Sequence, residues 1–281
     1  MNANNLPDYE MRREHSTEEQ RYWRIRCAAG LQAVDGLKPG QDFEEQASRY
    51  IEGEIDSEKL VEIVEQYYTE RDGRATEQGE REAAIVATRI NNVLALPTFR
   101  FIIPQLQSIH SYLFKGLMSE TRLEYDFRNF DISKPETILA GETVRYARSF
   151  EIDPFLSYDF DRQSTIDFNG KTPEETAVIV ADFISNIWSI HPFAEGNTRT
   201  CAVFSLLYLF DLGFTIDLKP FAFRSREYRD ALVRASYSCI KDGVSEDRSY
   251  IRSFYLSVLT GTDFPFLIRD MMLPRPTRPN L

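Results

Sequence analysis

The sequence predicts a mainly α-helical protein organised around two buried helices, and three observations carry that reading. Thr172-Pro173-Glu174-Glu175 is a helix start, with threonine as N-cap, proline at the first helical position and a glutamate placed to close a capping box. The stretch behind it carries Ala177, Val180, Ala181, Ile184, Ile187 and Trp188 at three- and four-residue spacing, an apolar stripe facing a core. Ala202 to Phe210 is apolar on every face, too short to span a bilayer, and stops at Asp211-Leu212-Gly213 with a glycine suited to the C′ position.

The other elements follow along the chain. Ser16-Thr17-Glu18-Glu19 reads as a capping box opening a first helix through Trp23, Cys27 and Leu31. Gly36 to Gly40 breaks it, and two shorter helices follow, the second from Asp56-Ser57 with Leu60, Ile63, Val64 and Tyr67. Thr69 to Arg81 is charged and nearly free of apolar residues, the best linker candidate. Ala84 to Leu96 and Pro104 to Lys115 read as helices around Pro97. Between Phe127 and Tyr146, Ile138-Leu139, a turn signal at Ala140-Gly141, and alternating Thr143-Val144-Arg145-Tyr146 predict a small β-hairpin. The expected organisation is a helical module over 1–70, a linker over 71–84, a catalytic domain over 85–265 and a tail over 266–281.

Composition narrows the function classes. With 281 residues and 42% hydrophobic content the chain buries one sizeable core plus a small appended module. A net charge of −11 is the wrong sign for a surface that binds phosphate backbones, so nucleic acid is not an expected partner. Cys27, Cys201 and Cys239 have neither paired nor metal-type spacing, which points to a reduced, cytoplasmic protein. The N-terminus has no apolar signal region and no run is long enough for a membrane span. Homo-oligomerisation is left open.

The chemistry concentrates between His191 and Arg199, in the turn joining the two buried helices. The first N–H groups of a helix lack internal partners and carry the positive end of the macrodipole, so the start at Asn197 is an anion site. Gly196 allows close backbone approach and Asn197 can cap or donate. Arg199 in the first turn opposes the dipole, at a cost of roughly 0.3–1 kcal/mol unless an anion reverses the sign. Glu195 suits a magnesium ion that shares phosphate oxygens, and His191 is free to act as base. A metallohydrolase built from His191, Glu195 and His110 is disfavoured, because two ligand types four apart on a loop are not a helical pair; His110 reads as structural.

The run His191-Pro192-Phe193-Ala194-Glu195-Gly196-Asn197-Thr198-Arg199-Thr200-Cys201-Ala202 resembles the signature of Fic-domain proteins, His-x-Phe-x-Asp/Glu-Gly-Asn-Gly-Arg-x-x-Arg. Ile109 to Phe114 is similar to the opening helix of many such domains, and Tyr228 to Ala235 to a downstream helix, so the resemblance spans roughly residues 85 to 260. It implies a Fic-like helical bundle whose hairpin flap covers the active site and holds a target segment. The implied activity is transfer of AMP from ATP to a Ser, Thr or Tyr hydroxyl of a protein. His191 would be the base, Glu195 the magnesium ligand, and Gly196, Asn197, Thr198 and Arg199 the phosphate site. Phe193 would be buried, and Asp230 and Tyr237 would approach the adenine. Thr198 replaces the family's second glycine and Ala202 its second arginine, departures that allow a different nucleotide or transferred group.

The N-terminal third also resembles the small helical antitoxins of that family, which silence it through Ser/Thr-x-x-x-Glu-Gly/Asn. In the register of Leu31 to Lys38, Asp35 stands in place of the glutamate and Leu31 of the serine; Ser48-Arg49-Tyr50-Ile51-Glu52-Gly53 is a second, lower-ranked match. The expectation is a protein adenylyltransferase with a fused inhibitory module, against two rivals: a Fic-like enzyme using another group, and a binding module without turnover.

Overall fold

A computed structural model describes residues 16–70, 78–118 and 121–274. Among these the architecture is helical. The first group of helices is α1 (Glu18–Gly30), α2 (Gln41–Glu52), α3 (Ser57–Glu70) and α4 (Gln78–Ala95). Then come α5 (Ile103–Phe114), α6 (Thr121–Tyr125), α7 (Ile152–Ser164), α8 (Pro173–Ile190) and α9 (Asn197–Asp211). The chain closes with α10 (Lys219–Phe223), α11 (Ser225–Ala235), α12 (Ser249–Thr260) and α13 (Ile268–Met271).

Helix α8 begins as its sequence dictates: Thr172 Oγ1 accepts from Glu175 N, the Glu175 carboxylate accepts from Thr172 N, and Pro173 stands at the first position. Helix α9 is buried from Asn197 through Leu209, which explains its apolar surface on all sides. It packs against α5 and α8, and α8 in turn against α7, α11 and α12. At its end Gly213 takes φ 84°, the left-handed geometry of a C′ glycine.

The first helix starts one residue later than Ser16 implies. Thr17 is the N-cap, and Gln20 completes the capping box. Helix α1 runs against α4 and α10, so closely that a Cβ on Gly30 would come within 2.3 Å of the Ala222 carbonyl oxygen. The chain then tightens into a 3-10 turn, Leu31–Asp35, capped by left-handed Gly36 and packed against α4, α9 and α11. Residues 71–77 of the expected linker lie outside the described residues, and 78–84 already form the first turns of α4. Residues 275–281 of the expected tail also lie outside.

The β-hairpin is not formed. Among the described residues, 127–146 contain one isolated antiparallel bridge, Pro135 to Thr143, and no strand. Thr137–Leu139 coils into a 3-10 turn that Ala140 ends in the left-handed region, and Ile138 and Leu139 are both buried. Two adjacent buried side chains cannot alternate across a strand, so the period-two signal stops there. The segment instead closes on itself by Lys134 N to Thr143 Oγ1 and Glu136 N to the Glu142 carbonyl, and it is tied to the helical body by the Glu136–Arg229 pair and by Leu273 N on the Ile138 carbonyl. No helix among the described residues is long and apolar enough to cross a membrane.

Candidate active site

His191 terminates α8 in the left-handed region, φ 54° and ψ 59°, with its N–H on the Ile187 carbonyl. Such a backbone is uncommon for a residue with a side chain and costs on the order of 1–2 kcal/mol. The imidazole is 4% exposed and its Nδ1 lies 3.1 Å from the Trp188 carbonyl. A carbonyl only accepts, so Nδ1 carries the proton and Nε2 keeps its lone pair. Burial, followed by the charge of Lys134, holds His191 well below the usual histidine range, so the ring is a neutral base at neutral pH. Tyr146 lies on the ring at 4.1 Å between centroids and Trp188 meets it edge-on at 5.2 Å.

The turn after His191 is built by its own side chains. Asn197 Oδ1 accepts from Phe193 N and its Nδ2 donates to the Phe193 carbonyl, at 2.9 and 2.8 Å, closing the loop into a ring. Phe193 is buried and stacks flat on His110 at 3.8 Å. His110 Nε2 lies 3.1 Å from the Glu195 carbonyl and its Nδ1 3.2 Å from that of Glu124. Burial pushes His110 down to about 4. A neutral ring donates to only one of these carbonyls, so His110 props the loop rather than binding a metal. Among the described residues no group of three or more His, Cys, Asp or Glu is arranged to hold a metal ion.

Gly196 takes φ 75° as N-cap of α9, and a Cβ there would sit 2.3 Å from the Phe114 ring. It supplies no side-chain cap, so the first-turn N–H groups of α9 need an acceptor from elsewhere. Thr198 Oγ1 accepts from the Trp188 indole at 2.9 Å, which leaves its O–H free to donate. Ala202 is fully buried, and α9 offers no second arginine. Glu195 projects outward with its side chain 63% exposed and pairs with Lys134 at 2.9 Å. One exposed carboxylate beside a helix start fits a magnesium ion that arrives with phosphate and keeps its waters, once Lys134 moves aside.

Arg199 is 3% exposed and held from the N-terminal side through both terminal nitrogens, while its Nε has no hydrogen-bond partner among the described residues. Its Nη2 meets Asp35 at 2.9 Å and Glu82 at 2.7 Å, and its Nη1 donates to Gln32 at 3.0 Å. The guanidinium also lies over the Phe114 ring at 4.7 Å. The structure thus brings His191, Glu195, Gly196, Asn197, Thr198 and Arg199 into one turn and adds Asp35 to it. Ser48 and Glu52 lie on the exposed side of α2. Asp230 is buried beside Arg229 at 3.4 Å, and burial pushes its carboxyl up to about 6. Tyr237 is 7% exposed, and neither residue touches the loop through a recorded hydrogen bond.

Sequence reading missed four contributors: Gln32, Glu82, Glu136 and Arg128. Glu136, 2% exposed, joins Arg229 at 2.7 Å and accepts from the Tyr146 hydroxyl at 3.4 Å, linking α11 to the ring that covers His191. Arg128 is buried and donates only to backbone carbonyls, including those of Ile190 and His191. None of these belongs to a motif or a periodic face; only the rarity of a fully buried arginine marks such a residue, and burial is not written locally.

No curated protein matches the chain. A solved Fic family protein from Desulfovibrio desulfuricans G20 is similar in fold, with a TM-score of 0.53 and 17% identity, over 87% of this chain and 65% of that one. The chain therefore spans about two-thirds of that protein's length. Residues 101–209, from the approach to α5 through the His191 turn to the end of α9, match the family model described as the Fic/DOC family.

Proposed function

We propose that the chain is a nucleotidyltransferase that moves AMP from ATP to a hydroxyl side chain of a protein. The observation that carries this reading is the His191 tautomer: Nδ1 is committed to the Trp188 carbonyl, and Nε2 is left as a neutral acceptor beside an uncapped helix start. An acceptor hydroxyl gives its proton to Nε2 as its oxygen attacks the α-phosphorus. The new O–P bond forms as the bond to pyrophosphate breaks, and its electrons leave with pyrophosphate. General-base help of this kind contributes roughly 10²–10⁴-fold. The α9 N–H groups and Arg199 take the phosphate charge, and magnesium on Glu195 would neutralise the leaving pyrophosphate. The segment 131–146 lies beside the loop and would hold the target without adding a regular strand.

The contacts of Asp35 and Glu82 support a further part of this reading: residues 18–95 hold Arg199 away from phosphate until the carboxylates yield. The buried Ala202 and the engaged Thr198 favour a second reading, transfer from a nucleotide other than ATP. One experiment separates these. Full-length protein and His191→Ala are incubated with magnesium and each α-labelled nucleoside triphosphate, and label on protein is measured. Label from ATP that disappears in His191→Ala is the expected result. Label from another nucleotide selects the second reading, and tight nucleotide binding with no label from any nucleotide overturns both in favour of a binding module.

A further inference from the structure

Arg128 is 2% exposed, and among the described residues it has no carboxylate within ion-pair distance. Its guanidinium is spent on four backbone carbonyls. Nε donates to His191 O at 2.8 Å, Nη1 to Phe130 O at 2.7 Å, and Nη2 to Ala147 O and, at 3.1 Å, to Ile190 O. Its own N–H donates to the Pro192 carbonyl at 2.9 Å. Two of these carbonyls belong to the end of α8, where the last C=O groups have no partner within the helix. The other two, Phe130 and Ala147, bracket the segment that carries Lys134, Glu136 and Tyr146.

His191 is also strained. It and Ala140 are the non-glycine residues of positive φ among the described residues. A backbone of this kind persists only where its surroundings over-determine it, and such places cluster at functional sites. The contacts that hold it are the Arg128 donors on either side of the His191 peptide, at Ile190 O and His191 O. Relaxed to an ordinary φ, His191 would swing its ring away from the Trp188 carbonyl and lose the contact that fixes Nδ1–H.

We propose that Arg128 is a positioning residue: by bridging the Ile190 and His191 carbonyls to those of Phe130 and Ala147, it fixes the backbone and tautomer of His191 and joins the overlying segment to the base. This rests on the reading of His191 as the base, but its tautomer measurement does not. The demand is geometric as well as electrostatic. Arginine presents a planar fork of five donors, whereas a lysine ammonium is a point that cannot reach carbonyls on both sides of the fork.

The chain has three histidines, His15, His110 and His191, so a long-range proton–nitrogen spectrum of the imidazoles resolves each one, with His191→Ala giving the assignment. In the full-length protein His191 is expected as a single Nδ1–H tautomer. Arg128→Lys and Arg128→Met are both expected to convert it to exchanging tautomers. Label transfer should fall about 10²-fold in kcat with the nucleotide KM little changed, the size of effect that a misplaced catalytic group gives. A single Nδ1–H tautomer and a near-wild-type rate in Arg128→Lys would overturn the proposal. If both variants fail to fold, the unsubstituted protein decides: slow solvent exchange of the Arg128 Nε–H supports the bridge, and exchange as fast as that of the exposed Arg145 contradicts it. If His191→Ala keeps full transfer activity, the base reading falls, while the tautomer measurement still judges Arg128.

Discussion

The two ends of the turn from His191 to Arg199 are held by opposite means. At the His191 end the Trp188 carbonyl accepts from Nδ1, the Tyr146 ring lies on the imidazole, Arg128 donates to the His191 carbonyl, and no described residue hydrogen-bonds Nε2. At the Arg199 end the partners are the side chains of Gln32, Asp35 and Glu82, and two of them are carboxylates paired with the guanidinium. On the proposed reading a base at His191 is therefore prepared in advance, whereas an anion site at Arg199 is filled by the chain itself. The difference teaches that the energetic barrier to turnover, on this account, lies in freeing Arg199 and not in arranging His191.

Breaking the Arg199 end outright has the largest expected effect. Arg199→Met leaves Asp35 and Glu82, both partly open to solvent, facing each other without the buried guanidinium that joins them, a cost of about 2–4 kcal/mol once the exposure of the carboxylates is discounted. Thermal denaturation should show it, together with loss of triphosphate binding in calorimetry. Unchanged stability would mean that the cluster does not hold residues 18–95 in place.

Next comes the support under the turn. His110 is pushed down to about 4 against an ordinary value near 6.5. The folded state thus binds fewer protons than the unfolded state between pH 6.5 and 4, and stability falls as pH drops through that window. The slope is about 1.4 kcal/mol per pH unit and the total about 3 kcal/mol. Asp230, pushed up to about 6, works in the opposite sense, since its contribution is lost as pH rises through 6. Melting temperature against pH should lose about one proton of slope in His110→Gln; a profile identical to wild type would contradict the assignment.

Gly196→Ala tests the junction between the two ends. Its Cβ would meet the Phe114 ring at 2.3 Å on a left-handed backbone. Strain and overpacking together predict a loss of about 2–4 kcal/mol, read from a denaturant midpoint. A shift below about 0.5 kcal/mol would show that Phe114 moves freely.

Much of the His191 end was legible in the sequence, because it follows from local rules. The Thr172 cap, Pro173 and the apolar stripe set where α8 begins and which face it buries. The last position of its stripe places His191 at the helix end, and Gly213 marks the end of α9. The hairpin between Phe127 and Tyr146 was misread because two adjacent residues, Ile138 and Leu139, both turn into the core. The clamp on His191 was not legible at all, since Arg128 acts on carbonyls some sixty residues away and no spacing encodes that. At the other end Asp35 came from a resemblance over its neighbours, while Glu82 fell within an expected linker that is in fact the start of α4.

The contrast between a prepared base and a filled anion site is tested most directly by nucleotide affinity in Asp35→Asn combined with Glu82→Gln, full-length and with magnesium. Both replacements keep the shape of the side chains and remove their charge. The account predicts triphosphate binding tighter by about 10-fold, the size of one charge-assisted contact regained, with adenosine affinity and the His191 tautomer unchanged. Triphosphate affinity equal to or weaker than that of the unsubstituted chain would contradict it.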